Sequence, residues 1–145
     1  MISTKKIILA SSSVRRKQLL QQIGLKKFEI VCPKFDEEKY EKDLSIKKKV
    51  LEFSYLKAQS VNKLKKKPNI IIISGDTEVF RCGKIYSKCF SKEQVKKNLL
   101  ELSGKKHFVL GGICVIDNNI IKKSFSTTEV YFDRIPKSEL SNKLL

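Results

Sequence analysis

The sequence has no apolar run near the roughly 20 residues that a bilayer-spanning helix requires. Its first apolar run, Ile7-Ile8-Leu9, is too short for the core of a secretory signal. It reads as a strand, and a cytoplasmic location follows as the default expectation. Cysteine is sparse and poorly placed for metal: Cys32, Cys82, Cys89 and Cys114 contain no C-x-x-C pair, and His107 is the one histidine. A structural zinc site needs four such ligands at close paired spacing, so zinc is excluded and the thiols are expected to be reduced. Arginine is scarce too, confined to Arg15, Arg16, Arg81 and Arg134. No repeat and no low-complexity linker divides the chain.

What is present is an ordinary globular composition. At 145 residues and 41% hydrophobic, the chain suits one domain, or one domain split into two lobes by a cleft. The net charge of +16 has two readings. One is attraction to polyanions, nucleotides or nucleic acid. The other is solvated surface, because the lysines are spread along the chain and base-reading sites favour arginine. The second fits most of the lysines, so nucleic-acid binding rests on charge alone.

Patterning predicts a first buried strand at Ile7–Ala10 and a turn at Ser11–Ser13. A helix then runs over Val14–Ile23 with Leu19, Leu20 and Ile23 on its apolar face, stopped by Gly24. Phe28–Val31 reads as a short strand, followed by the acidic loop Asp36-Glu37-Glu38. A long helix from Asp43 to about Leu64 carries two apolar rows, Ile46, Val50, Phe53 and Leu51, Tyr55, Ala58. Pro68 and Asn69 break it. The β-branched run Ile70–Ile73 reads as a strand buried on both faces, ending in a turn at Ser74-Gly75-Asp76-Thr77. A hairpin follows over Val79–Tyr86, around Cys82-Gly83. Ser91 with Gln94 forms a capping box for a helix to about Leu102, which Gly104 ends. Strands Phe108–Ile116 and Ile120–Phe132 follow, and Pro136 opens a last helix. The order predicts an α/β fold with a mixed twisted sheet flanked by helices.

Three places carry chemistry. In Ser11-Ser12-Ser13-Val14-Arg15-Arg16, a helix N-terminus with free amide donors follows a strand, which suits phosphate. Two arginines there oppose the helix dipole by about 0.3–1 kcal/mol each, a cost an anion would offset. Two solvated arginines are the plain alternative. Gly75-Asp76-Thr77 lies past a buried strand, where a carboxylate would hold a divalent metal or activate water; an ordinary Asp turn is the alternative. Asp36-Glu37-Glu38 would complete a Mg²⁺ site or form a solvated loop. Lys57 and Lys88 are candidate phosphate contacts. His107 has no nucleophile motif beside it and reads as structural.

Together these pieces are more specific than apart. Leu9 to Leu20, Phe35-Asp36-Glu37, Lys57-Ala58, Gly75-Asp76-Thr77, Gly83-Lys84-Ile85 with Ser87-Lys88, Leu102 to His107, and Thr128 to Phe132 follow one another in order. Taken as a set they resemble the signature of the Maf family of nucleotide pyrophosphatases. The resemblance implies an α/β fold related to the ITPases, with two lobes and a central cleft. It also implies Mg²⁺-dependent hydrolysis of nucleoside triphosphates such as dTTP or UTP to monophosphate and pyrophosphate. On it, Asp76 would activate water and Glu37 would hold metal with Asp76. Ser11, Ser13, Arg15, Arg16, Lys57 and Lys88 would hold phosphates. Arg15 and Thr77 match positions linked to substrate choice, and a homodimer is the common assembly.

There are departures from the pattern. Val14 replaces a proline, Glu78 adds charge after Thr77, and Cys89 replaces a proline after Lys88. The family's following D-K-A-G-A-Y-x-I-Q segment is not in the sequence. A catalytically weak or inactive relative that still binds nucleotides is therefore the alternative expectation.

Overall fold

The computed structural model describes residues 5–40, 44–64 and 69–140. Its strands are β1 (Lys6–Ala10), β2 (Glu29–Val31), β3 (Ile70–Arg81), β4 (Lys84–Tyr86), β5 (Lys106–Asp117) and β6 (Ile120–Tyr131). The helices are α1 (Val14–Gln22), α2 (Ile46–Leu64) and α3 (Lys92–Leu102), with 3-10 turns at Glu37–Lys39 and Lys137–Leu140. The strands make one sheet in the order β2-β1-β3-β5-β6, with β4 paired to β3. The pairs β1–β2 and β1–β3 are parallel and β3–β4 is antiparallel, so the sheet is mixed, as the patterning predicts. Among the described residues no helix is long and apolar enough to cross a membrane.

The chain divides into two compact units. The first comprises Met1–Asp76 with Gly111–Phe125, and the second Thr77–Leu110 with Ser126–Leu145. In the first unit β1 lies between β2 and β3, so both of its edges are paired, and Ile8, Leu9 and Ala10 are buried. The core gathers Ile8, Ala10, Ala58, Val61, Ile70, Ile72, Cys114 and Ile116. Each large aliphatic buried there contributes about 1.5–3 kcal/mol.

Helix α1 begins at Val14. Ser13 caps it, its Oγ accepting from the Arg16 amide at 3.3 Å. At the other end Gly24, with φ +100°, closes a Schellman turn: its amide donates to Gln21 O and the Leu25 amide to Leu20 O. The expected apolar face is only partly used. Leu20 is buried, whereas Leu19 and Ile23 are exposed. Helix α2 starts at Ile46, capped by the Ser45 hydroxyl, which accepts from the Lys48 amide; the expected start at Asp43 and the break at Pro68 lie outside the described residues. Its buried stripe is Val50, Phe53, Ser54, Ala58 and Val61. A serine therefore stands where the apolar rows anticipate none. It is tolerated because its Oγ donates to Val50 O at 2.6 Å.

One expectation fails outright. Ser74-Gly75-Asp76-Thr77 is no turn; it is the middle of β3, which runs unbroken from Ile70 to Arg81. Glycine weakens a strand but does not end one, and it recurs where another group approaches closely. A β-carbon built on Gly75 would lie 3.2 Å from Arg16 Nε and 3.2 Å from Gly112 O.

In the second unit the hairpin falls where expected. Cys82 and Gly83 have φ of +48° and +77°, the left-handed pair that a two-residue type I′ turn requires. Ser91 caps α3 through the Gln94 amide, while the Gln94 side chain reaches back to the Phe90 amide. Gly104 adopts φ +65° after the helix. Ser103 Oγ accepts from the Ile135 amide at 2.7 Å and ties the late segment down. Pro136 is followed by a single 3-10 turn, beyond which the chain lies outside the described residues. His107 is buried edge-on against Phe132, with ring centroids 4.7 Å apart, in keeping with a structural role.

Candidate functional site

Four of the residues singled out from sequence come together in the first unit, each delivered by a different element. Arg16 comes from the first turn of α1, Glu37 from the 3-10 turn, Lys57 from α2 and Asp76 from the middle of β3.

Lys57 is the hub. Its Nζ lies 2.8 Å from Glu37 Oε1 and 3.0 Å from Asp76 Oδ1. The Lys57 side chain is 14% exposed and that of Asp76 6%, so this pair is shielded from water; Glu37, at 47%, is the open side. Shielding strengthens each charge interaction.

Arg16 is the second cation. Its Nη1 donates to Ser11 Oγ at 3.3 Å, and the same hydroxyl accepts from the Ser13 amide at 3.1 Å. Burial pulls the Arg16 guanidinium below its ordinary pKa, and Arg15 adds to that effect. The Asp76 and Glu37 carboxylates oppose it. The arginine that looked misplaced at a helix N-terminus thus faces two carboxylates, which offsets its conflict with the helix dipole. Arg15 is exposed. Ser11 is buried, and Ser13 is engaged as the helix cap.

The supporting contacts were not visible in the sequence. Phe35, Tyr40 and Phe53 form a three-way cluster of edge-to-face rings with centroids 5.2–5.8 Å apart, fastening both flanks of the 3-10 turn to α2. That clamp sets where Glu37 meets Lys57. Ser74 Oγ donates to the Ser54 carbonyl, joining β3 to α2 one turn before Lys57. Gly112 brings β5 against the same turn: a β-carbon there would lie 2.4 Å from Val50 O. In the sequence Phe35 and Ser74 stand beside motif residues and Phe53 lies in an apolar row, but none of them gives a hint of its partner.

Thr77 and Lys88 belong to the second unit, where both are exposed, Thr77 on β3 and Lys88 beyond β4. Glu78, buried, follows Thr77 on β3.

The donor set for a metal is two carboxylates within reach of one ammonium group. Among the described residues no cluster of three or more His, Cys, Asp or Glu side chains is placed to hold a metal. Two hard oxygen donors fit Mg²⁺, which keeps waters and takes phosphate oxygens to fill its shell. They do not make a complete protein cage.

The chain is similar to known proteins. The chain is 39% identical over 133 residues to the dTTP/UTP pyrophosphatase of Thermotoga maritima, covering 92% of this chain and 63% of that protein. It is 37% identical over 139 residues to the dTTP/UTP pyrophosphatase of Clostridium perfringens strain 13, covering 94% of this chain and 71% of the relative. The chain thus spans about two-thirds of the length of the curated relatives it matches. Among solved structures, the Staphylococcus aureus Ham1 protein is similar in fold, with a TM-score of 0.51 at 19% identity, over 88% of this chain and 71% of that one. The family model for Maf-like proteins matches residues 6–144, and with the relatives just named it shows that this chain belongs to the Maf family.

Proposed function

We propose that the protein is a nucleoside triphosphate pyrophosphatase that converts a nucleoside triphosphate and water to the monophosphate and pyrophosphate. The observation that carries this reading is the meeting of Arg16, Lys57, Glu37 and Asp76 in a partly shielded site beside the N-terminus of α1. The names of the curated relatives make dTTP and UTP the substrates to try first.

In this reading the α1 N-terminus and Arg16 grip phosphate oxygens, with Ser11 holding the guanidinium in place. Asp76 accepts a proton from the water that attacks the α-phosphorus. The bond from that phosphorus to the α–β bridging oxygen breaks, and pyrophosphate leaves. Glu37 and Asp76 would hold Mg²⁺ together with phosphate oxygens, and the ion, when bound, supplies neutralisation of phosphate charge. Arg16 and Lys57 stabilise the same charge as it shifts toward the leaving group. Catalysis then lies mainly in positioning and electrostatics. Free thiols at all four cysteines suit the cytoplasmic setting expected of such an enzyme.

The test is pyrophosphate release from dTTP and UTP with Mg²⁺. General-base loss in Asp76→Asn should lower the rate by about 10²–10⁴-fold. Equal rates in the two proteins, or no turnover by the wild type, would overturn the assignment.

A further inference from the structure

We propose that Lys57 is a resident counter-ion that keeps divalent metal off Glu37 and Asp76 until the phosphates of a nucleotide draw the ammonium away. The idea rests on the pyrophosphatase reading and concerns how that site is loaded.

The geometry leads here directly. One Nζ bridges an oxygen of each carboxylate, at 2.8 and 3.0 Å. A divalent ion shared by these same oxygens would need Mg–O distances of about 2.0–2.1 Å and would have to lie where the ammonium lies. Both cations cannot occupy that place, and in a shielded site their repulsion is strong.

Charge counting points the same way. Glu37 and Asp76 bring two negative charges, and Lys57 and Arg16 bring two positive ones. The set is balanced as it stands. A divalent ion alone would leave it strongly positive. A triphosphate, with about four negative charges near neutral pH, more than offsets the two of its ion and offers the ammonium new oxygens. Among the described residues no third carboxylate is placed to hold a metal here, so the ion gains no further protein charge with which to displace the lysine.

Only a side chain has to move. Lys57 sits on a continuous helix, and its own carbonyl accepts from Ser60 Oγ at 2.8 Å, so the backbone stays fixed. The flexible four-carbon stem lets the ammonium swing from carboxylate to phosphate. By linkage, metal and nucleotide must then strengthen each other's binding.

The experiment titrates Mn²⁺ by electron paramagnetic resonance into the wild type, Lys57→Met and Lys57→Arg. Each is measured alone and with an α,β-methylene analogue of UTP. Without the analogue, Lys57→Met should bind Mn²⁺ about tenfold or more tightly than the wild type, and Lys57→Arg should stay as weak as the wild type. With the analogue, the wild-type affinity should rise by a similar factor. If Lys57→Met is unfolded without metal, adding Mn²⁺ should restore its circular dichroism. Three results overturn the proposal: Lys57→Met no tighter than wild type or not rescued, Lys57→Arg as tight as Lys57→Met, or a bound analogue that leaves wild-type Mn²⁺ affinity unchanged. Failure of the pyrophosphatase reading shows separately, as absent pyrophosphate release, and the Mn²⁺ titration without nucleotide still gives its own answer.

Discussion

Gly112 lies against Val50 so closely that a β-carbon on the glycine would sit 2.4 Å from the Val50 carbonyl oxygen and 2.6 Å from its carbon. The obstacle is helix backbone, which cannot turn aside as a side-chain tip can. Gly112→Ala must push α2 off the sheet. Overpacking of this kind costs about 1–3 kcal/mol. The expected result is a melting temperature lower by several degrees, read by calorimetry, with activity reduced at temperatures where the variant is still folded.

Ser74 holds the same helix turn from β3 through its bond to the Ser54 carbonyl. Ser74→Ala should cost about 1 kcal/mol of stability. Because Lys57 is one turn further along, kcat should fall while KM changes little. Ser74→Thr, which keeps a hydroxyl, should restore most of kcat. A steady-state comparison of the three proteins checks this.

Arg16 and Arg15 are neighbours with unequal duties. Arg16 is partly buried, bonded to Ser11 and facing two carboxylates, whereas Arg15 is exposed. A charge-assisted phosphate contact is worth about 1.5–3 kcal/mol, so Arg16→Ala should weaken nucleotide-analogue binding by roughly ten- to hundredfold. Arg15→Ala should have the smaller effect. Calorimetric titration of both variants decides the order.

His107 makes stability depend on pH. Its ring is buried, its Nδ1 has no hydrogen-bond partner among the described residues, and burial lowers its pKa from 6.5. The folded protein therefore keeps the imidazole neutral at pH values where the unfolded chain already takes up a proton. The contribution is complete above the unfolded value and is lost as pH falls through the folded one. Urea midpoints at pH 7.5 and pH 5 should differ less in His107→Phe than in the wild type.

Much of the site was legible because its signals are local. The Ser-Ser-Ser-Val-Arg-Arg segment announces a capped helix start, and the Cys82-Gly83 pair a tight hairpin, since both depend on residues adjacent in the chain. Lys57 was a candidate phosphate contact on its predicted helix, but among so many lysines it stood out only together with the other pieces of the pattern. What escaped depends on neighbours far apart in sequence. Gly75 read as a strand end because glycine usually breaks pattern; its purpose is to leave room for Arg16 and for β5, which only the folded chain supplies. Ser54 belongs to neither of the apolar rows, yet it is buried through bonds to Val50 and Ser74. Leu19 and Ile23 share a helical face with Leu20 on paper, but a helix of nine residues covers only part of that face.

Cys114 sits fully enclosed in the core of the first unit, its thiol pKa pushed up by burial, while Cys32 and Cys82 are open to solvent. Thiolate, not thiol, is what alkylating reagents attack. The surface pair should therefore label within minutes, and Cys114 only when the core of the first unit opens. The chain carries its own reporter of that opening, readable by mass spectrometry without introducing any probe.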